Sequence, residues 1–412
     1  MMTALRNDAD YIIKKALKEV LPDAAVKKAL QDFQRPAGRL ILLAVGKAAP
    51  QMASAALEVL GSVDEGLVIT KYGHSRGEIP GCRILESSHP VPDDSSFAAG
   101  RAALELVRGC GAEDCMICLI SGGGSSLMEW PLIPGEELSG LTSDLLACGA
   151  DITEINTVRK CMSAVKGGKL GQACAPARVF NILLSDVLGD RADIIAGGPT
   201  VPDASEPGEA AAVIEKYHIA LSPAAQACLQ QPPVSELPHV TSTVGGSVRQ
   251  LVQAAEKACR ELGYDTLVLN DSMCSEARDA GRELGGLLRL YQGIGKPVAF
   301  LAGGETVVHI TGTGLGGRNQ ELALAAAEGL SGLNAAVFSL GSDGTDGPTD
   351  AAGGYTDGDS LAEMQARGID PAAVLQNNDS YHALKAIGGL LMTGPTGTNV
   401  NDVSVGLGKF GK

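Results

Sequence analysis

Five apolar runs in this chain each break off into a cluster of Gly, Ser, Asp or Lys, and this recurrence narrows the folds open to it more than any other feature. The runs are 40–45 before Gly46-Lys47, 116–120 before Ser121-Gly122-Gly123-Gly124-Ser125-Ser126, 180–184 before Ser185-Asp186, 298–302 before Gly303-Gly304-Glu305, and 335–340 before Gly341-Ser342-Asp343-Gly344-Thr345-Asp346-Gly347. Continuous runs rich in Val, Ile, Leu and Phe, separated by helical stretches, read as strands covered on both faces by helices. In such sheets ligands sit beyond the carboxyl ends of the strands, where these polar clusters fall. The pattern predicts an α/β enzyme with a phosphate-rich ligand.

At 412 residues the chain exceeds one ordinary domain of roughly 150 residues, and two domains are expected. The stretch Gln230-Gln231-Pro232-Pro233-Val234-Ser235-Glu236-Leu237-Pro238 breaks both helix and strand and reads as the linker. The expected domains are therefore 1–232 and 239–412, each a mainly parallel Rossmann-like sheet flanked by helices. Further strands are expected at 240–244, 266–269 and 389–393, and an amphipathic helix over 8–34. A formal charge of −15 argues against a nucleic-acid or anionic-membrane partner, since both need a dense basic face. The ten cysteines show no framework spacing, and Cys115 and Cys118 lie inside an apolar run and read as buried strand thiols. No signal peptide or membrane-length apolar run of about 18 residues is evident, so a cytoplasmic location is expected.

The glycines of Ser121–Ser126 let backbone N–H groups converge on an anion, and the serine hydroxyls add donors. Gly46-Lys47 lacks the Gly at 41 and the Ser or Thr at 48 that a P-loop needs, yet Lys47 at a strand end can reach a phosphoryl group as a point charge. Asp186 and Asp190, just past a strand, suit magnesium ligands or a base for a substrate hydroxyl; Asp190 could equally pair with Arg191 or cap a helix. Asn156, Arg159, Lys160 and Ser163 share a helix face, which suits an anionic ligand or a charged outer surface. Gly312-Thr313-Gly314-Leu315-Gly316-Gly317 satisfies the GxGxxG pattern without an acidic partner about 20 residues on. Arg318 opens the next helix, where a guanidinium can clamp a carboxylate with two parallel hydrogen bonds. Glu305 and Asp343 emerge straight from strands, although Asp-Gly steps are also turn chemistry. The six histidines show no ligand spacing.

Together, Gly46-Lys47-Ala48, Ser121–Ser126, the segment 155–160, Asp186 with Asp190, Gly197-Gly198-Pro199-Thr200, Gly303-Gly304-Glu305-Thr306, the segment 316–321, Ser342–Gly347 and Thr393–Asp402 strongly resemble the glycerate 2-kinase family whose second half is the MOFRL domain. The likeness runs from about residue 10 to residue 407 in the expected order, with Leu315 departing from the basic or polar residue expected in its loop. The resemblance implies transfer of the γ-phosphoryl of ATP to the 2-hydroxyl of D-glycerate, with magnesium, in a cleft between the domains. It assigns Lys47, Asp186, Asp190 and Arg318 to catalysis. Gly46, Ser121, Gly122, Gly123, Gly124, Ser125, Ser126, Thr398 and Asn399 would bind the nucleotide, and Asn156, Arg159, Lys160, Arg318 and Asn319 the substrate. Asp186, Glu305 and Asp343 would hold magnesium. A homodimer is compatible with this reading. The alternatives are a hydroxypyruvate reductase using NAD(P), which the GxGxxG match supports, and a non-catalytic sugar-phosphate sensor.

Overall fold

The computed structural model describes residues 4–75 and 77–411. The chain divides into two compact units: residues 22–245 form one, and the described residues up to Leu21 join those from Gly246 onward in the other.

In the unit of residues 22–245, strands β1 (Leu40–Val45), β2 (Glu65–Lys71), β3 (Cys82–Ser87), β4 (Cys115–Ile120), β5 (Arg178–Leu184) and β6 (Val240–Gly246) form a sheet ordered β3-β2-β1-β4-β5-β6. The pairs from β3 through β5 are parallel. Every residue of β1 and β4 is buried, and alternation with period two divides them between two cores. Ile41, Leu43, Val45, Met116, Cys118 and Ile120 face one core with helix Asp94–Val107. Leu40, Leu42, Ala44, Cys115, Ile117 and Leu119 face the other, with helices Pro22–Ala29 and Ala49–Leu60. Both surfaces of the sheet are thus covered, which explains continuous apolar runs in place of an apolar–polar alternation. Cys115 and Cys118 are buried within this sheet, and burial pushes the Cys118 thiol up to about 12.

The other unit holds β7 (Asp265–Met273), β8 (Pro297–Gly304), β9 (Ala335–Gly341), β10 (Gly353–Asp357), β11 (Leu390–Leu391) and β12 (Asp402–Lys409), ordered β11-β10-β9-β12-β8-β7. This sheet is mixed. β7 and β8 are parallel, while β12 lies antiparallel between β8 and β9, and β10 is antiparallel to β9 and β11. The register sets Asp402 opposite both Gly304 and Gly341. Three polar segments therefore gather at one end of the sheet: those leaving β8 and β9, and the one entering β12.

The division differs from the expected boundary at 232/239. Val234 O accepts from Asp203 N (2.8 Å), and β6, which follows the proline-rich stretch, completes the first sheet, so 230–238 is a packed loop of that unit. The expected helix over 8–34 is two helices, and the first, Ala4–Glu19, packs with the far end of the chain. Its Leu5, Ala9, Ile12, Ile13 and Ala16 share a core with Leu251, Val252 and Ala255. The strand expected at 389–393 is only Leu390–Leu391. No described helix is long and apolar enough to cross a membrane.

Candidate active site

In the first sheet the strand order reverses between β1 and β4, the position at which open α/β sheets receive ligands. Val45 pairs with Ile120, so the two following loops leave the sheet side by side. Their backbones interlock: Ser121 N donates to Val45 O (2.9 Å), Lys47 N to Gly122 O (3.0 Å) and Ala48 N to Ser121 Oγ (3.2 Å). Gly46 sits at φ +127°, and a Cβ there would lie 2.1 Å from Ser121 Oγ, so only glycine permits this approach.

Three side chains surround the glycine turn. A Cβ on Gly122 would fall 2.3 Å from Asp186 Oδ2, at the end of β5. One on Gly123, which holds φ +88°, would fall 2.9 Å from His89 Cδ2 and 3.4 Å from Lys47 Cε. The turn enters the short helix Gly124–Leu127, where Ser126 N donates to Gly123 O and Ser125 Oγ is buried without a partner. Lys47 is exposed. Burial, followed by the charges of Lys47, Lys71 and His74, holds His89 below its usual value, which favours a neutral imidazole at neutral pH. Asp190 holds φ +53° and has a buried, unpartnered Oδ1, while Arg191 pairs with Asp193 (2.7 Å) and not with Asp190. The tightness of the turn makes Gly122→Ala a sensitive test. The added methyl must displace Asp186 or the turn itself, and we expect turnover to fall at least about tenfold, the scale of a misplaced reacting group, as read by steady-state kinetics.

The face expected to carry Asn156, Arg159, Lys160 and Ser163 splits. Arg159 turns to the glycine loop, donating from Nη2 to Ser125 O (3.3 Å). Ser163 Oγ donates to Glu129 Oε1. Lys160 is buried against Asp203 (2.9 Å) and Asp193 (3.4 Å), a local ion cluster that occupies it, and so it does not present its charge to a substrate. Asn156 is buried on the helix Ile152–Cys161.

In the second unit Arg318 opens the helix Arg318–Leu330 and is already engaged. Its Nε and Nη2 reach the two oxygens of Asp402 (2.5 and 3.0 Å), and its Nη1 reaches Glu305 (3.1 Å). Burial lowers the Arg318 value, but the carboxylates of Asp402 and Glu305 outweigh it and raise it above the usual range; burial pushes the Asp402 carboxyl up to about 6 against the opposing pull of the Arg318 guanidinium. Glu305 also accepts from Asn401 Nδ2 (3.1 Å), and Asp343 accepts from Thr345 N (3.0 Å). Among the described residues no three His, Cys, Asp or Glu side chains are placed to hold a metal ion. Of the expected metal set of Asp186, Glu305 and Asp343, the last two already accept hydrogen bonds within their own unit. Asn319 is 1% exposed, bonded to Asp346 and Ser339, and thus holds helix to sheet without facing a ligand. Thr398 is likewise buried and donates to Val20 O (2.9 Å), tying down the end of the opening segment, whereas Asn399 is exposed.

The GxGxxG segment has a local explanation. Gly312 N donates to Asn378 Oδ1 (3.0 Å), Thr313 N to Asn377 Oδ1 (3.1 Å), Gly314 N to Asn377 O (2.9 Å) and Leu315 N to Asp379 Oδ1 (2.9 Å). Its glycines admit the 377–380 backbone, since a Cβ on Gly312 or Gly314 would fall 2.4–2.6 Å from Asn377 atoms. Amides committed in this way cannot also cradle a pyrophosphate.

Sequence reasoning passed over His89, Glu129, Lys166 and the pairing role of Asp402. A histidine two residues beyond a strand was a usable signal for the first; the others depend on tertiary contacts.

The model of the Domain of unknown function (DUF4147) matches residues 8–230, and that of the MOFRL family matches residues 298–402. The chain is 47% identical to a D-glycerate 2-kinase of Thermotoga maritima, over 98% of each chain. A crystal structure of glycerate kinase from that organism superposes with a TM-score of 0.94, covering 98% of this chain and 99% of that one. A protein of Agrobacterium vitis with a provisional hydroxypyruvate reductase name is 42% identical, over 90% of this chain and 87% of its own. On this likeness across both halves, the chain belongs to the MOFRL-type glycerate 2-kinase family.

Proposed function

We propose that this chain transfers the γ-phosphoryl group of ATP to the 2-hydroxyl of D-glycerate, giving 2-phosphoglycerate and ADP, in the cytosol where ATP is supplied. The observation that carries the reading is the interlocked pair of loops after β1 and β4, which brings an exposed Lys47 beside three consecutive glycines at the switch point of the sheet. Phosphoryl transfer needs little covalent help. It needs positioning and positive charge where the equatorial oxygens gain negative charge. Backbone amides of the 122–125 turn and Lys47 Nζ supply both. Asp186 stands against the same turn and orients the glycerate hydroxyl, taking its proton as the new P–O bond forms. Magnesium, which favours oxygen donors and arrives on nucleotide phosphates, would be held here by Asp186 and by Asp190, whose buried Oδ1 lacks a partner; it supplies charge neutralisation when bound. Arg159 and Ser125, at the back of the turn, have a buried unpartnered Nε and Oγ that a phosphoryl or carboxylate oxygen would satisfy.

Arg318 enters the reading differently from a free anchor. Its guanidinium is balanced by Asp402 and Glu305, so a substrate carboxylate would bind it by displacing Glu305, the more exposed of the two partners.

The reductase reading is separated from this one by a single incubation. Purified protein with D-glycerate, magnesium and ATP should release ADP with 2-phosphoglycerate, and with NAD or NADP in place of ATP it should form no reduced nicotinamide. Nicotinamide reduction without ADP release would overturn the kinase reading. Binding of ATP and glycerate without turnover would favour the sensor.

A further inference from the structure

Beneath the glycine loop lies a buried ion pair, Lys166 with Glu129, that the transfer mechanism above leaves unused. Lys166 is 1% exposed and Glu129 is 0% exposed. Lys166 Nζ contacts Glu129 Oε2, and Ser163 Oγ contacts the other oxygen, Oε1. Arg159 approaches Glu129 Oε2 only to 3.8 Å, while its Nη2 donates to Ser125 O at 3.3 Å. The glycines around this pair are fitted to it. A Cβ on Gly197 would lie 2.8 Å from Lys166 Cδ, and one on Gly100 would lie 2.2 Å from Glu129 O.

Two cations thus compete for one buried carboxylate, and Lys166 holds the closer place. Coulomb attraction rises steeply as separation and local dielectric fall, so the cation left alone with Glu129 would be drawn in. We propose that Lys166 and Glu129 are positioning residues for phosphoryl transfer: by occupying Glu129, Lys166 keeps Arg159 extended to the Ser125 carbonyl, with its Nε turned to the incoming substrate. Without Lys166, the guanidinium closes onto Glu129 as a bidentate pair and leaves the loop. The inference rests on the kinase reading of this site.

Lys166→Met keeps an unbranched apolar stem, one atom shorter, and removes the charge. It should lower kcat/KM for glycerate about tenfold, the size expected when one member of a coupled buried network is removed. Adding Glu129→Gln removes the carboxylate that captures Arg159, so the Lys166→Met/Glu129→Gln double variant should recover most of the loss. A merely structural role predicts the opposite order, with the double variant no better than the single. Circular dichroism and melting curves establish that both variants are folded, and wild-type protein assayed alongside separates the two claims. Absence of ADP formation by wild type sinks the kinase reading. A folded Lys166→Met within twofold of wild type, or a folded double variant no more active than Lys166→Met, overturns this inference alone.

Discussion

Lys47→Ala should lower kcat by about 10²–10³, the cost of removing one preorganised charge from a developing anionic transition state, with the melting temperature unchanged. The two halves of this expectation have separate origins. Lys47 Cε lies close to Gly123, where the transferring group must sit if the glycine turn is its cradle. Its side chain is exposed and buries little surface that folding would lose. Lys47→Arg should not restore the rate, because a planar guanidinium fork does not reproduce the compact point charge of an ammonium. Kinetics at saturating ATP and glycerate, with a thermal melt of the same sample, read both quantities. A variant within threefold of wild-type kcat would remove Lys47 from the transition state.

Arg318→Ala should lose activity too, but for this residue stability falls with it. Asp402 is 3% exposed and sits between β8 and β9 with its two oxygens on the Arg318 guanidinium. Removing one partner of a buried ion pair costs about 3–5 kcal/mol because the other is left charged and unpaired, and the partial exposure of Arg318 points to the lower end. Adding Asp402→Asn to this variant removes the stranded charge and should return much of the melting temperature without returning the rate. That dissociation is the informative result. Recovery of both together would make Arg318 a structural residue only, and an Arg318→Ala protein that melts like wild type would contradict the observed pairing.

The contrast between these two basic residues shows where the sequence was legible. Leu40–Val45 and Met116–Ile120 could be read as buried strands because helices on both faces demand unbroken apolar runs, and the Lys and glycine clusters that follow them mark the strand ends, but their adjacency appears only in the sheet order. Lys47 and Ser121–Ser126 were each found as strand-end candidates in this way. The second sheet was harder. β12 carries Gly406 and Gly408 in a strand paired on both sides, and that composition reads as loop, so the strand that sets Asp402 between Gly304 and Gly341 was missed. Arg318 was taken as free because nothing within a few residues of it shows a partner 84 positions away. The same limit applies to Lys160, which lies beside Arg159 in sequence but turns to Asp203, and to Glu129 with Lys166, whose carboxylate and ammonium look like ordinary surface charges until their burial is known. The proline-rich stretch misled for a different reason: prolines end helices, yet a chain can still pack after them, as Val234 does against Gly168.

The most direct measurement is a crystal structure of the protein with magnesium, glycerate and a non-hydrolysable ATP analogue. The account predicts the terminal phosphate on the backbone amides of the 122–125 turn and within hydrogen-bonding reach of Lys47 Nζ, with the glycerate 2-hydroxyl facing it beside Asp186. Phosphates bound instead on the 312–317 segment, with the 121–126 turn empty, would contradict it.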